Sequence, residues 1–251
     1  MPKQKYAVVV AGTLMMLMMG GIAYTWSIYV APLMQQFGWT KAQTSMPFSI
    51  FLMSYTVGMI LGGRLQDQFG PRMVCTIGAV LFGGGYLLSG FASSIIQLCV
   101  VYGVMTGIGV GFAYVTPMAS VVKWFPNRKG LMGGIVVFGF GGGAFLFAPL
   151  VEWIITEYRW QDAFIYVGIG CTVLGVIASR FIRLPEQASP SPVPSAMTEP
   201  ATPVTEDLSP GQAVRRPIFW IAWGAWVLVM IVGLGLLGHM KDFATGLGVE
   251  E

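Results

Sequence analysis

The chain has 251 residues, of which 55% are apolar and only 10% are charged, and its formal net charge is +3. Ordinary globular domains carry roughly 25% charged residues, so this composition cannot cover a water-facing surface. It excludes a soluble enzyme or nucleic-acid-binding protein and predicts a chain whose main solvent is lipid. The three cysteines, Cys75, Cys99 and Cys171, fall inside apolar runs, where packing is expected rather than a disulfide or a metal site.

Seven apolar runs are long enough to cross a bilayer. Each is predicted to be a helix, because lipid offers backbone polar groups no partner outside the segment. The runs cover Tyr6 to about Val30, Ser45–Leu65, Met73–Ala92, Ile95–Val122, Leu131–Trp153, Ala163–Phe181 and Ile218–Leu237. The first run is too long for the apolar region of a signal peptide, so it is predicted to be an uncleaved helix.

Lys and Arg are distributed unevenly between the two sides of these helices. If the N-terminus is cytoplasmic, the inside segments contain eleven: Lys3, Lys5, Arg64, Arg72, Lys123, Arg128, Lys129, Arg180, Arg183, Arg215 and Arg216. The outside segments contain three: Lys41, Arg159 and Lys241. Because positive charge is retained on the cytoplasmic side, we expect a multi-pass protein of the cell (inner) membrane of a prokaryote, with a cytoplasmic N-terminus.

Residues 185–217 form a different kind of sequence, with eight of the chain's 15 prolines. This composition predicts a flexible, partly extended cytoplasmic linker. The expected organisation is a six-helix half over residues 1–184, the linker over 185–217, and the start of a second half, with a seventh helix and an outer loop, over 218–251. Seven helices do not complete two six-helix halves, so we expect a truncated chain or a fragment. A deliberate seven-helix protein is the alternative.

Glycine is concentrated inside the apolar runs, with 34 residues in the chain. Gly103, Gly107 and Gly111 recur every four residues, which places them on one face of the fourth helix. Small residues let helix backbones approach closely in a membrane. Static packing and sliding of smooth helix faces during transport both fit this pattern.

A short charged turn, Gly63-Arg64-Leu65-Gln66-Asp67-Gln68-Phe69-Gly70-Pro71-Arg72, separates the second and third runs and predicts antiparallel neighbours. Its spacing of Gly63, Asp67, Gly70 and Arg72 resembles the loop between helices 2 and 3 of the major facilitator superfamily of secondary transporters. Gln68 stands where that loop usually has a basic residue, and Pro71 replaces the first of two basic residues.

Three segments together resemble one branch of that superfamily, the oxalate:formate antiporter and monocarboxylate transporter group. They are Tyr24-Thr25-Trp26, the Gly70-Pro71-Arg72 turn and Lys123-Trp124-Phe125-Pro126-Asn127-Arg128-Lys129-Gly130. The resemblance implies an all-α membrane protein, comprising the N-terminal six-helix bundle of a major facilitator fold plus a seventh helix.

The first six runs contain no Lys, Arg, Asp, Glu or His near the middle of the membrane. The substrate is therefore uncharged, or its countercharge comes from a C-terminal half that this chain lacks. The resemblance favours the second explanation, because basic residues of the C-terminal half serve the carboxylate in that branch.

Four aromatic residues are candidates for substrate binding. Tyr24 lies four residues after Gly20, so both face one side of the first helix, and Tyr114 lies three residues after Gly111. The resemblance implies that Tyr24, Tyr114 and Phe140 line the central cavity, and Tyr55 is a fourth candidate. Any of the four side chains could instead be packed against lipid or protein.

Gly63, Asp67, Gly70 and Arg72 are predicted to form a cytoplasmic gate. The two glycines would permit close backbone contact, and Asp67 would lie beside the positive N-terminal end of a helix in the other half. The resemblance implies that this latch favours the outward-open state. A simple topology hairpin is the alternative.

The predicted function is secondary transport of small carboxylates (monocarboxylate, oxalate or formate) by alternating access, as proton symport or anion exchange. The expected partners are the substrate, protons, the bilayer and the missing half, with no cofactor, no metal and no nucleic acid. The only histidine, His239, is expected to be interfacial. Efflux of an uncharged compound and a seven-helix receptor or sensor are the competing functions.

Overall fold

The computed structural model describes residues 2–185, 210–225 and 227–228, which form helices and short turns without a strand. The α-helices are α1 (Pro2–Tyr24), α2 (Trp26–Phe37), α3 (Lys41–Phe69), α4 (Pro71–Ser89), α5 (Ile95–Leu98), α6 (Gly107–Trp124), α7 (Lys129–Glu157), α8 (Trp160–Ser179) and α9 (Pro210–Val214). A π-helical segment covers Cys99–Thr106, and a 3-10 turn covers Pro126–Arg128.

The described residues include six helical spans that are long and apolar enough to cross a membrane. In chain order they are Gln4–Phe37, Lys41–Phe69, Pro71–Ser89, Ile95–Trp124, Pro126–Glu157 and Trp160–Ser179. We call them the first to the sixth span. The six predicted runs are therefore confirmed as helices, although the first continues to Phe37 rather than ending near Val30.

Two spans are not the uninterrupted α-helices that their apolar sequence predicts. The first span breaks at Thr25, whose carbonyl accepts a hydrogen bond from the Ile28 amide only three residues later (3.1 Å). The Thr25 hydroxyl bonds to the Ile22 carbonyl (3.3 Å), a contact of the kind that bends helices. In the fourth span the backbone is π-helical over Cys99–Thr106, and within this segment Thr106 Oγ1 donates a hydrogen bond to the Val101 carbonyl (3.0 Å).

The second and third spans meet at a single residue, Gly70. Its φ of 81° belongs to the region that favours glycine, and Pro71 follows at the first position of the next helix, where its missing amide costs nothing. The two spans are antiparallel, as predicted, but each packs mainly against other spans rather than against its neighbour in the chain. The second lies along the fourth, whereas the third lies against the fourth and the sixth.

Glycines set how closely these helices approach. Gly103, Gly107 and Gly111 all face the second span, against Ile50, Phe51 and Tyr55 respectively. The predicted glycine face of the fourth span is therefore confirmed as a packing surface. The first and fifth spans form a second close pair, with Gly139 against the Thr13 carbonyl.

One end of the bundle carries most of the positive charge, and we call it the basic end. Within residues 2–185 it holds Lys3, Lys5, Arg64, Arg72, Lys123, Arg128, Lys129, Arg180 and Arg183, whereas the opposite end holds Lys41 and Arg159. Trp124 Nε1 donates to the Arg183 carbonyl (2.6 Å), which joins the ends of the fourth and sixth spans. The segregation of charge by ends is thus as predicted.

Residues 1–191 form one compact unit and 192–251 another. In the second unit, α9 is followed by helical residues 217–225 and 227–228. Within the predicted flexible, partly extended linker over 185–217, Pro210–Val214 form a short helix. The assignment of this stretch as a linker stays a prediction. Residues 186–209 of the linker lie outside the described residues, as do residues 229–251, which include the later part of the predicted seventh helix and, beyond it, His239 and Lys241.

Candidate functional site

The four candidate substrate residues lie on four different spans, and their rings touch in one series. The Phe140 ring centroid lies 5.7 Å from that of Tyr24 and 5.4 Å from that of Tyr114. The Tyr114 ring is in turn 5.8 Å from the ring of Tyr55. The interplanar angles of 71°, 87° and 85° are edge-to-face arrangements, the geometry that aromatic pairs prefer. We call these four residues the mid-span aromatic cluster.

The cluster lies near the middle of the bundle. Each member is at least ten residues from either end of its span, which corresponds to about 15 Å at the rise of an α-helix. The hydrocarbon core of a bilayer is roughly 30 Å thick, so these tyrosine hydroxyls would lie close to its midplane. A polar hydroxyl at that depth needs a partner other than lipid tails.

The cluster opens onto one face of the bundle. The Tyr24 side chain is 54% exposed, whereas Tyr55, Tyr114 and Phe140 are partly buried. This face is electrically neutral, since every charged residue of the six described spans lies within five residues of a span end. The arrangement can offer hydroxyl groups and aromatic walls to a ligand, but no countercharge.

Backbone contact between helices positions the cluster. A methyl group on Gly20 would overlap the carbonyl oxygen of Phe140, and one on Gly111 would lie 2.5 Å from the carbonyl oxygen of Tyr55. Gly20 precedes Tyr24 by one helical turn, and Gly111 precedes Tyr114 by nearly one turn. The predicted pairing of each glycine with the tyrosine on its face is therefore present, and it brings the spans close enough for ring contact.

The predicted gate residues are at the basic end. An added Cβ at Gly63 or Gly70 meets nothing within 4 Å among the described residues. Close backbone contact at these glycines is thus absent from the described part of the chain. Gly70 is instead required by its positive φ.

The two charged residues among the predicted gate residues, Asp67 and Arg72, differ in their contacts. Asp67 is exposed, and the one ion pair found among the described residues is elsewhere, between Arg159 and Asp162 (3.1 Å). Arg72 Nη2 donates to the Arg180 carbonyl (3.0 Å), so it ties the start of the third span to the end of the sixth. A pocket of about 310 Å³ lies beside this bond, lined by residues 69–72 and 182–184. Arg72 therefore has a structural partner, whereas Asp67 remains available for one.

One residue next to the cluster was not predicted from the sequence. Phe51 stacks on Tyr55 (6.3 Å between centroids) and on Tyr102 (5.3 Å), so it joins the cluster to buried aromatic residues nearer the opposite end. Its position four residues before Tyr55, on the same helical face, was the available signal.

Comparison with known proteins identifies the family of this chain. The model of the Major Facilitator Superfamily matches residues 11–250. The chain belongs to the major facilitator superfamily. It is accordingly a multi-pass membrane protein of a transporter family, and its relatives are transporters rather than enzymes.

The individual relatives of this superfamily member are also named as transporters. The chain is 28% identical to the oxalate:formate antiporter of Oxalobacter formigenes over 240 residues, which are 96% of the chain and 56% of that protein. It is 26% identical to monocarboxylate transporter 13 of Bos taurus, over 88% of the chain and 50% of the relative. It is 36% identical to the probable sulfoacetate transporter SauU of Cupriavidus necator, over 57% of the chain and 34% of the relative. The chain spans about half the length of the first two relatives.

Proposed function

We propose that this chain forms one half of a secondary transporter for small carboxylates that works by alternating access. The observation that carries the proposal is the mid-span aromatic cluster, which lies at half depth on a neutral face where Tyr24 remains half exposed. Oxalate, formate, monocarboxylates and sulfoacetate, named for the relatives, are all small organic anions.

The cluster residues have separate roles in this proposal. The hydroxyl groups of Tyr24, Tyr55 and Tyr114 donate hydrogen bonds to the carboxylate oxygens, and the Phe140 ring forms an apolar wall. A hydrogen bond to a charged group contributes about 1.5–3 kcal/mol, so each hydroxyl affects affinity measurably. Edge-to-face contact with Phe140 limits the rotation of Tyr24 and Tyr114 and so orients their hydroxyls.

A carboxylate at half depth also requires positive charge. None is available at that depth in the described spans, since Arg64 and Lys123, for example, lie near the basic end. We therefore assign the countercharge to a second six-helix half that packs against the open face. The energetic cost of burying a lone carboxylate makes binding by this half alone prohibitive.

The turn at Gly70 acts as a gate in the same scheme. The basic end faces the cytoplasm of a prokaryotic cell, and Asp67 pairs with the N-terminal end of a helix in the second half when the cytoplasmic side is closed. Its exposure and lack of an ion pair within the described residues support this role. Arg72 holds the base of the turn through the Arg180 carbonyl.

Transport in proteoliposomes that contain this chain with its proposed second half tests the function. Uptake of labelled oxalate, formate or lactate is expected. Stimulation by unlabelled acid inside the vesicles indicates anion exchange, and stimulation by an inward proton gradient indicates symport. A properly inserted protein that takes up none of these acids under either condition contradicts the proposal.

Efflux of an uncharged compound is a second candidate function, and the neutral character of the open face favours it. Counterflow distinguishes the two functions. In this assay, uptake of a labelled, uncharged aromatic solute is measured in the presence of unlabelled competitors. Competition by the unlabelled form of the same solute, together with no competition by oxalate or lactate, would support efflux instead.

A further inference from the structure

A second set of polar side chains lies in the core, between the mid-span aromatic cluster and the end opposite the basic end. Tyr29 and Tyr86 share a hydrogen bond (2.8 Å between hydroxyl oxygens), and the Tyr86 hydroxyl lies 3.4 Å from Thr25 Oγ1. Thr25 Oγ1 donates its proton to the Ile22 carbonyl. Since each hydroxyl has one proton, Tyr86 donates to Thr25 and Tyr29 donates to Tyr86. We call Thr25, Tyr29 and Tyr86 the hydroxyl chain.

Two buried donors lie beside this chain without a partner. The ring centroids of Trp26 and Tyr102 are 4.3 Å apart, and the side chains are 5% and 0% exposed. Trp26 Nε1 and the Tyr102 hydroxyl make no hydrogen bond to any residue that the structure describes. A buried donor left without a hydrogen bond destabilises the fold, so two in one contacting pair need an explanation.

Both donors are located where the backbone departs from a regular α-helix. Trp26 follows the break of the first span at Thr25, and Tyr102 lies in the π-helical segment of the fourth span. Such segments are frequent at functional sites. Gly85 accommodates this one, because a Cβ on it would lie 2.6 Å from Thr106 Oγ1 and 2.7 Å from the Val101 carbonyl.

The donors are also close to unused acceptors. The Tyr102 ring lies 6.2 Å from the Tyr86 ring, and Tyr29 and Tyr86 retain lone pairs after the bonds of the hydroxyl chain are counted. Donors and acceptors that cannot reach one another directly are the usual setting of a buried water, which makes about three hydrogen bonds. No charged side chain of the described spans lies at this depth, which favours a neutral ligand.

We propose that Trp26 and Tyr102 bind buried water, which links them to the hydroxyl chain. The water oxygen accepts from Trp26 Nε1 and from the Tyr102 hydroxyl, and a water proton is donated to a tyrosine oxygen of the chain. This internal water site is independent of the proposed transport function. It joins the irregular segments of the first and fourth spans at the place where their side chains contact Tyr86 of the third span.

The stability of Tyr102→Phe in the full chain, purified in detergent micelles, tests the site. Loss of a water-bonded hydroxyl is expected to lower the midpoint of thermal unfolding by about 2–4 °C. In a dry site the same substitution removes an unpaired polar group, so an unchanged or raised midpoint would contradict the proposal. Tyr166→Phe, which removes an exposed hydroxyl from the sixth span, is the matched control and should leave the midpoint unchanged.

Hydroxyl-radical footprinting by X-ray radiolysis supplies a second measurement on the unsubstituted chain. Radicals generated from bound water modify adjacent side chains even when these are buried. Trp26 and Tyr102 are expected to be modified well above Phe82, a phenylalanine that is 0% exposed. Modification no greater than that of Phe82 would overturn the proposal whatever the effect of Tyr102→Phe on stability.

Discussion

Gly20 lies so close to Phe140 that a methyl group on the glycine would overlap the Phe140 carbonyl oxygen. One helical turn further along the first span, the Tyr24 ring contacts the Phe140 ring. The absence of a side chain at Gly20 therefore sets the distance at which the two rings meet. Gly139, whose added Cβ would lie 2.6 Å from the Thr13 carbonyl, maintains the same close approach on the fifth span.

Gly20→Ala is expected to destabilise the bundle and to separate Tyr24 from Phe140. The methyl group meets backbone, which cannot move aside as a flexible side chain does, and such overpacking typically costs about 1–3 kcal/mol. Thermal unfolding in detergent measures the loss. Gly141→Ala is the control, because an added Cβ there meets nothing within 4 Å. Equal midpoints for the two variants would show that the close approach is not required.

Tyr114→Phe is expected to raise the KM for carboxylate uptake by roughly tenfold or more, because one charge-assisted hydrogen bond is lost. The ring and its contacts with Phe140 and Tyr55 are retained, so stability should change little. Uptake at varied substrate concentration in proteoliposomes gives the KM. Tyr166→Phe on the sixth span is the control, and a KM equal to that control would exclude Tyr114 from the binding site.

Asp67→Asn is expected to impair transport without affecting membrane insertion, because the carboxylate is exposed and has no ion pair within the described residues. The predicted reduction in maximal rate is roughly tenfold, which corresponds to an increase of about 1.4 kcal/mol in the activation free energy of transport. Rates are normalised to the amount of inserted protein. The neighbouring exposed substitution Gln68→Asn is the control, and unchanged kinetics for Asp67→Asn would contradict the gate.

Arg72→Lys should weaken the junction between the third and sixth spans although it preserves the charge. The shorter head group of lysine carries a compact charge and cannot reproduce the reach of the guanidinium to the Arg180 carbonyl. A decrease in the unfolding midpoint smaller than that of Gly20→Ala is expected. Arg64→Lys, at an exposed site on the second span, should have no effect. If both lysine variants unfold at the same temperature, the hydrogen bond does not contribute to stability.

Single cysteines introduced at the two ends of the bundle test its orientation. Asn127→Cys lies at the basic end and Ser93→Cys at the opposite end, in a chain whose native Cys75, Cys99 and Cys171 are replaced by serine. A membrane-impermeant maleimide added to intact cells should label position 93 and not position 127, because the basic end is predicted to face the cytoplasm. The reverse pattern would invert the proposed topology.

The sequence alone determined the number, type and order of the first six spans. Apolar runs longer than a bilayer is thick can satisfy their backbone groups only as helices, so their existence follows from local composition. The pairing of Gly20 with Tyr24 could also be predicted, since a separation of four residues places two positions on one helical face whatever the surroundings. The sequence also predicted that most basic residues lie at one end of the bundle, because the number of spans fixes the end at which each connecting segment lies.

The tertiary structure alone decided which spans pack together and where the helices depart from regularity. Tyr55 and Tyr114 are 59 positions apart, and no local period specifies that their rings meet at 5.8 Å. The π-helical segment around Tyr102 likewise packs against a glycine of another span, Gly85, where a Cβ would lie 2.6 Å from Thr106 Oγ1. Local composition specifies a helix through backbone hydrogen bonds within the segment, whereas contacts between helices depend on the complementary shapes of surfaces far apart in the chain.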